Sequence, residues 1–182
     1  TGALDQQLVL TPYLAYFHDR TGQLTAAEVA SAPYAGRFVT AGDSIPNLGL
    51  ADGAVWVRLT LANSQQVTQA LVLDLDLPLA SQVDLYVGTP LSGAAPAFAT
   101  DLAQPYATRP IQGRGFAFPL QLEPGATTTY LMRVTASFPL RLPMTLWRPD
   151  AYRASDVQEV IWWGIVLGML IVMSGYNLLV FL

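Results

Sequence analysis

The 182-residue chain contains no cysteine, and that single absence excludes disulfides, thiolate metal sites and cysteine nucleophiles together. It contains no lysine either. Its cations are therefore nine arginines and the one histidine, His18, and the formal net charge is −4. With no basic patch, nucleic acid is not an expected partner. A lone histidine with neither a second histidine nor a cysteine cannot build a zinc site of the usual kind. Gly-x-Ser-x-Gly, a phosphate-binding loop and a paired-histidine metal motif are all missing. Of the few acids, only Asp74 with Asp84 offers a carboxylate pair of the sort glycoside hydrolysis needs. The chain reads as a binding protein rather than an enzyme, and it calls for no cofactor.

Charged residues make up only 12% of the chain, against about a quarter in an ordinary soluble domain, while apolar residues reach 52%. Part of that excess sits in one place. VIWWGIVLGMLIVMSGYNLLVFL, Val160 to Leu182, runs for 23 residues without a charge. A hydrocarbon layer of about 30 Å takes roughly 20 residues of helix, so this segment predicts a transmembrane helix in contact with membrane lipid. Trp162 and Trp163 stand at its start, where indoles favour the lipid–water interface. Gly164, Gly168 and Gly175 fall on one helical face and let a neighbouring helix approach closely, while Tyr176 and Asn177 add polar groups that seek partners. The helix therefore reads as the first of a bundle, packing against other membrane helices of the same protein or against a second copy of it.

Everything upstream is patterned as β-structure. Val55, Val57, Leu59 and Leu61 alternate with Trp56, Arg58, Thr60 and Ala62, a period of two that half-buries a strand. The alternation recurs over residues 71–77, 83–87, 116–122, 130–134 and 140–146. These runs are separated by turn chemistry at Asp52-Gly53, Asn63-Ser64, Gly88 to Pro90, Gly113, Pro124-Gly125 and Pro139. At least six strands without interleaved helices predict an all-β sandwich. Thr25 and Glu28 have capping-box spacing ahead of a short helix limited by Pro33, read as packing only. Between Pro90 and Pro110 the expectation is a long loop with one edge strand. Pro149 should end the last strand near Trp147, and Ser155 offers an N-cap from which a helix continues into the span.

The run GLADGAVWVRLTLANS, then VDLYV, Arg109-Pro110, LEPGATTTYLMRV, LRLPMTLWRPDAY and GIVLGMLIVMSGYNLLVF resembles, in order and spacing, the second type of extracellular domain of bacterial seven-transmembrane receptors with diverse intracellular signalling modules. The resemblance extends from about Tyr13 to Leu182. It implies a jelly-roll-like β-sandwich, similar to carbohydrate-binding modules, over residues 1–150; a juxtamembrane linker over 151–159; and a first membrane helix over 160–182. It further implies a sensor in the periplasm, attached to the bacterial inner membrane, whose output kinase or cyclase lies beyond this chain. The alternative is a membrane-tethered carbohydrate-binding module or adhesin without signalling.

Each strand carries one aliphatic face, and the other faces together hold Trp56, Arg58, Asp74, Asp76, Asp84, Tyr86, Arg133, Arg141 and Trp147. Sugars stack on aromatic rings while Arg and Asp bond their hydroxyls, so such a face suits a glycan or another small polar ligand. Cross-strand Arg–Asp pairs on a solvated face would give the same composition. The candidate ligand-binding residues that fall in the family motifs are Trp56, Arg58, Asn63, Arg109 and Arg133. Trp56 also suits a cap on the sandwich, and Asn63 sits where a turn wants an Asx side chain. Asp74, Asp76 and Asp84 would be the oxygen donors for Ca²⁺, although no Gly-bearing loop joins them.

Overall fold

The computed structural model describes residues 6–50, 52–77, 80–88, 95–101, 103–113 and 115–181. By backbone contacts the chain divides into two units, Thr1–Arg148 and Pro149–Leu182. The first unit begins with β1 (Gln7–Val9), a 3₁₀ turn at Thr11–Tyr13 and β2 (Ala15–Asp19). Two short helices follow, α1 (Ala26–Ala30) and α2 (Ala32–Ala35), then β3 (Val39–Thr40), β4 (Asn47–Leu50), β5 (Ala54–Ala62), β6 (Gln69–Leu75) and β7 (Gln82–Val87). After β8 (Phe98–Asp101) and a 3₁₀ turn at Tyr106–Thr108 come β9 (Phe116–Leu122), β10 (Thr127–Thr135), β11 (Pro139–Arg141) and β12 (Met144–Trp147). The second unit is one helix, α3 (Pro149–Phe181).

Two antiparallel sheets make the sandwich, one of four strands in the order β1-β12-β6-β9 and one of six in the order β3-β2-β5-β10-β7-β8. A small third sheet pairs β11 with β4. The period of two builds the core directly. Val55, Val57, Leu59, Val83, Leu85, Met132 and Val134 from the six-stranded sheet meet Leu71, Leu73, Leu75, Phe116, Phe118, Leu120 and Leu146 from the four-stranded one, all buried. The alternating strands read from the sequence are therefore present, and the sandwich is the fold.

Two local expectations change. The run 140–146 is not one strand, because Pro143 has no amide to donate to a ladder; β11 and β12 end on either side of it and join different sheets. The helix before the span starts at Pro149, ahead of Ser155. Proline fits the first helical position, where no intrahelical partner for its amide exists, and Ser155 lies inside the helix with its hydroxyl donating to the Tyr152 carbonyl at 2.8 Å. Residues 151–159 are thus helical and continuous with the span. The edge strand expected between Pro90 and Pro110 is β8, paired to β7. Thr89 and Pro90 of the turn after β7, and Leu182 at the end of the span, lie outside the described residues.

Helix α3 has 33 residues, about 50 Å at 1.5 Å per residue, and its most apolar stretch reaches a mean hydropathy of 2.0. It is long and apolar enough to cross a membrane. Its large side chains from Val160 to Phe181 are exposed, Phe181 to 91%, which in lipid is the stable arrangement and in water is not.

Candidate functional site

The two sheets distribute the aromatic and charged residues unequally. Strand register on the six-stranded sheet lines up Phe17 of β2, Trp56 of β5, Arg133 of β10 and Asp84 of β7 in one row across its outer face. The next row holds Arg58, Leu131 and Tyr86. Asp74 belongs to β6, in the other sheet, and alternates with the core residues Leu73 and Leu75, so it faces out on the opposite side of the sandwich. The Asp74–Asp84 pair consequently cannot flank one cleft. For the same reason Asp74, Asp76 and Asp84 are not gathered as Ca²⁺ ligands, and no group of three metal-ligating side chains occurs among the described residues.

The outer face of the six-stranded sheet is covered, contrary to the open, solvated face that the alternation alone allowed. Helix α1 closes over it, and Phe17, Ala26, Val29, Trp56 and Leu131 form a second apolar cluster separate from the sandwich core. Trp56 is 0% exposed. Helix α1 is held by its capping box: the Thr25 hydroxyl accepts from the Glu28 amide at 3.3 Å, and the Glu28 carboxylate accepts from the Thr25 amide at 2.8 Å. The Thr25 amide bond, with a second from the Thr25 hydroxyl donating to the same carboxylate at 2.7 Å, holds the Glu28 carboxyl below its usual value. Arg58 secures the segment beyond, with its guanidinium 4.3 Å over the Phe38 ring and donating to the Ala35 carbonyl at 3.1 Å.

Between α1 and this face lies a cavity of about 460 Å³, walled by the turn and helix start from Gly22 to Ala27 and floored by Trp56, Asp84, Tyr86 and Arg133. The turn is set by Asp19. Its buried carboxylate accepts from the Thr21 amide at 3.0 Å, the Thr21 hydroxyl at 2.6 Å and the Leu24 amide at 3.0 Å. Burial alone would raise the Asp19 pKa, but the bonds from Thr21 and Leu24 outweigh it and hold the carboxyl below its usual value. Gly53 supports the turn from beneath. At φ +84° it adopts a left-handed conformation, and a Cβ there would overlap the Asp19 carbonyl.

At the floor, Arg133 Nη2 donates to the Gly22 carbonyl at 3.0 Å, and Nη1 lies 3.6 Å from Asp84 Oδ2. Asp84, 5% exposed, also accepts from the Gln82 side-chain amide at 2.9 and 3.1 Å. Tyr86 tilts against Trp56 with ring centroids 6.0 Å apart. Burial, assisted by the Asp84 charge and opposed by Arg133, raises the Tyr86 pKa and keeps its hydroxyl protonated as a donor. The Trp56 indole N–H is buried and has no hydrogen-bond partner among the described residues.

Of the residues singled out from sequence, the structure brings Trp56 and Arg133 to this cavity, with Arg58 in the next row behind it. Asn63 and Arg109 are elsewhere. Asn63 ties a turn: its amide nitrogen donates to the carbonyls of Val67, Leu122 and Glu123, and its oxygen accepts from the Gln65 amide at 2.9 Å. Arg109 lies over the rings of Phe116 and Tyr106, at 4.8 and 5.4 Å. His18 has Nε2 2.7 Å from the Asp52 carbonyl, an ordinary structural contact. The residues that reading of the sequence missed are Asp19, Gly22 and Gln82. The first two had a signal, since Asp-x-Thr-Gly at 19–22 is the composition of an Asx turn.

A family model described as 7TMR-DISM extracellular 2 matches residues 11–148, from the first 3₁₀ turn through β12, which is the sandwich without β1. Among curated proteins no match is found. The match spans well over half of the chain, and the chain belongs to this family of extracellular domains of membrane receptors.

Proposed function

We propose that this member of the receptor extracellular-domain family is a ligand sensor, and that its ligand enters the cavity between α1 and the outer face of the six-stranded sheet. The observation that carries the reading is the composition of that cavity. An aromatic pair, Trp56 and Tyr86, adjoins a buried ion pair, Asp84 and Arg133, in a volume of about 460 Å³. Pockets of a few hundred cubic ångströms with an apolar wall and a few converging polar groups are the usual form of a small-molecule site. A glycan unit or another small polar ligand fits this chemistry, the ring against Tyr86, which is backed by the fully buried Trp56, and the hydroxyls toward the charged pair.

The sensor domain lies in the periplasm and α3 anchors it in the bacterial inner membrane. Support comes from the family and from a helix of sufficient length and apolarity. Only Arg148 separates β12 from α3 along the chain, and α3 runs unbroken from Pro149 into the span. Signal then passes to other membrane helices and to an output domain outside this chain. A ligand changes that output only through its difference in affinity between two states of the domain.

The test is a binding screen on the full chain in lipid nanodiscs, using a panel of small neutral saccharides, polyols and amino acids read by thermal shift and calorimetry. A compound that stabilises the wild-type chain and loses at least about tenfold in affinity with Tyr86→Leu supports the reading. Binding unaffected by Tyr86→Leu, or no binding across the panel, rejects this cavity as the sensor site.

A further inference from the structure

We infer that Asp84 and Arg133 act as a charge filter, so that the cavity accepts ligands of zero net charge and rejects small anions and cations. The inference rests on the reading of this cavity as the ligand site and adds what class of ligand it takes. Among the described residues that line it, Asp84 and Arg133 are the only ionised ones, and they oppose each other. Their mutual distance of 3.6 Å exceeds that of a hydrogen bond, so neither is saturated by the other.

The remaining valences are complementary. Asp84 accepts from a single amide group, that of Gln82, and a carboxylate has room for more. Arg133 gives one bond to the Gly22 carbonyl, and a guanidinium retains further N–H donors. A ligand with a donor and an acceptor on neighbouring atoms satisfies both at once, as adjacent hydroxyls do. An anion that reached Arg133 would lie close to the Asp84 carboxylate, and a cation that reached Asp84 would lie close to the guanidinium. Both ions of the pair are largely buried, which leaves that repulsion poorly screened. Two other carboxylates stand nearby, Asp19 and Glu28, but they are spent on Thr21, Leu24 and Thr25 and do not line the cavity. Their field adds to the exclusion of anions and weakens that of cations in the same measure, so the guanidinium of Arg133 carries the rejection of cations.

Removing one member should convert the filter into a site for the opposite ion. The experiment measures equilibrium dialysis of labelled sulfate and labelled methylammonium against the full chain in nanodiscs, at constant ionic strength. The wild-type chain should bind neither saturably. Asp84→Asn should gain sulfate binding at least about tenfold above wild type, and the gain should vanish in the double variant with Arg133→Gln. Arg133→Gln alone should gain methylammonium by a similar factor, which keeps the test open should Asp84→Asn fail to fold. Saturable sulfate binding by the wild-type chain overturns the filter. So does the absence of any gain in both single variants when circular dichroism shows them folded. These outcomes are separate from the neutral-ligand screen: a chain that binds a neutral compound but shows no charge reversal loses the filter and keeps the sensor, and reversal without a neutral ligand does the opposite.

Discussion

The two faces of the six-stranded sheet are written by the same alternation in β5, β7 and β10, yet they serve different ends. The inner face presents Val55, Val57, Leu85, Met132 and Val134 to the opposing sheet, closed and aliphatic. The outer face presents Phe17, Trp56, Arg133, Asp84 and Tyr86 to a turn and a five-residue helix that leave a cavity open. Both faces bury their residues, but only one buries charge beside unfilled space. An ion pair largely removed from water seldom stabilises a fold on balance, which fits the proposal that this pair serves a ligand.

That contrast can be broken in graded steps. The largest effect should come from Gly53→Ala, which strikes the support of the outer-face turn: the added methyl overlaps the Asp19 carbonyl and comes within 2.7 Å of the Arg20 carbonyl, both rigid backbone. A loss of about 4 kcal/mol in denaturant unfolding is expected. Met132→Ala on the inner face should follow at about 3 kcal/mol, because it leaves a hole in a packed core, and should leave the affinity of any cavity ligand unchanged.

Asp19→Asn comes next, at about 2 kcal/mol, from lost charge-assisted bonds to Thr21 and Leu24. Its signature is in pH. The folded carboxyl titrates below the unfolded value of about 3.9, so its stabilisation is complete well above that value and disappears as pH falls through the folded pKa. Unfolding curves of wild type and Asp19→Asn should therefore differ most at neutral pH and converge in acid. A gap that stayed constant to low pH would remove the charge from the explanation. The smallest stability effect belongs to Tyr86→Phe on the cavity floor, within about 1 kcal/mol, with a several-fold loss in ligand affinity.

Much of the fold was readable in advance because its signals are strong and local. Alternation located β5, β6, β7, β9 and β10, and Thr25 with Glu28 located the start of α1. Strands of two to four residues such as β1, β3 and β4 are too short to show a period, and their pairing is set by partners distant in sequence. The candidate site was legible in part. Alternation put Trp56 and Arg133 away from the sandwich core, but it does not reveal that α1 folds back over that face, nor that Asp74 and Asp84 are on different sheets. Asn63 and Arg109 carry the same residue chemistry as a binding group, but Asn63 meets the Leu122 carbonyl at the end of β9 and Arg109 lies over the ring of Phe116 at its start. Only the long-range register separates the two cases.

The central claim is that the covered outer face, and not another part of the domain, receives the ligand. The most direct measurement follows the indole N–H resonances of the full chain in nanodiscs by two-dimensional ¹H–¹⁵N NMR while a compound found to stabilise the chain is titrated in. The chain has four tryptophans, and the Trp56 signal is identified by its loss in Trp56→Phe. Trp56 floors the cavity, and its N–H lacks a hydrogen-bond partner among the described residues, so its resonance should shift saturably with the dissociation constant found by calorimetry. A Trp56 signal that stays fixed while the compound binds and other resonances move would place the ligand elsewhere and contradict the account.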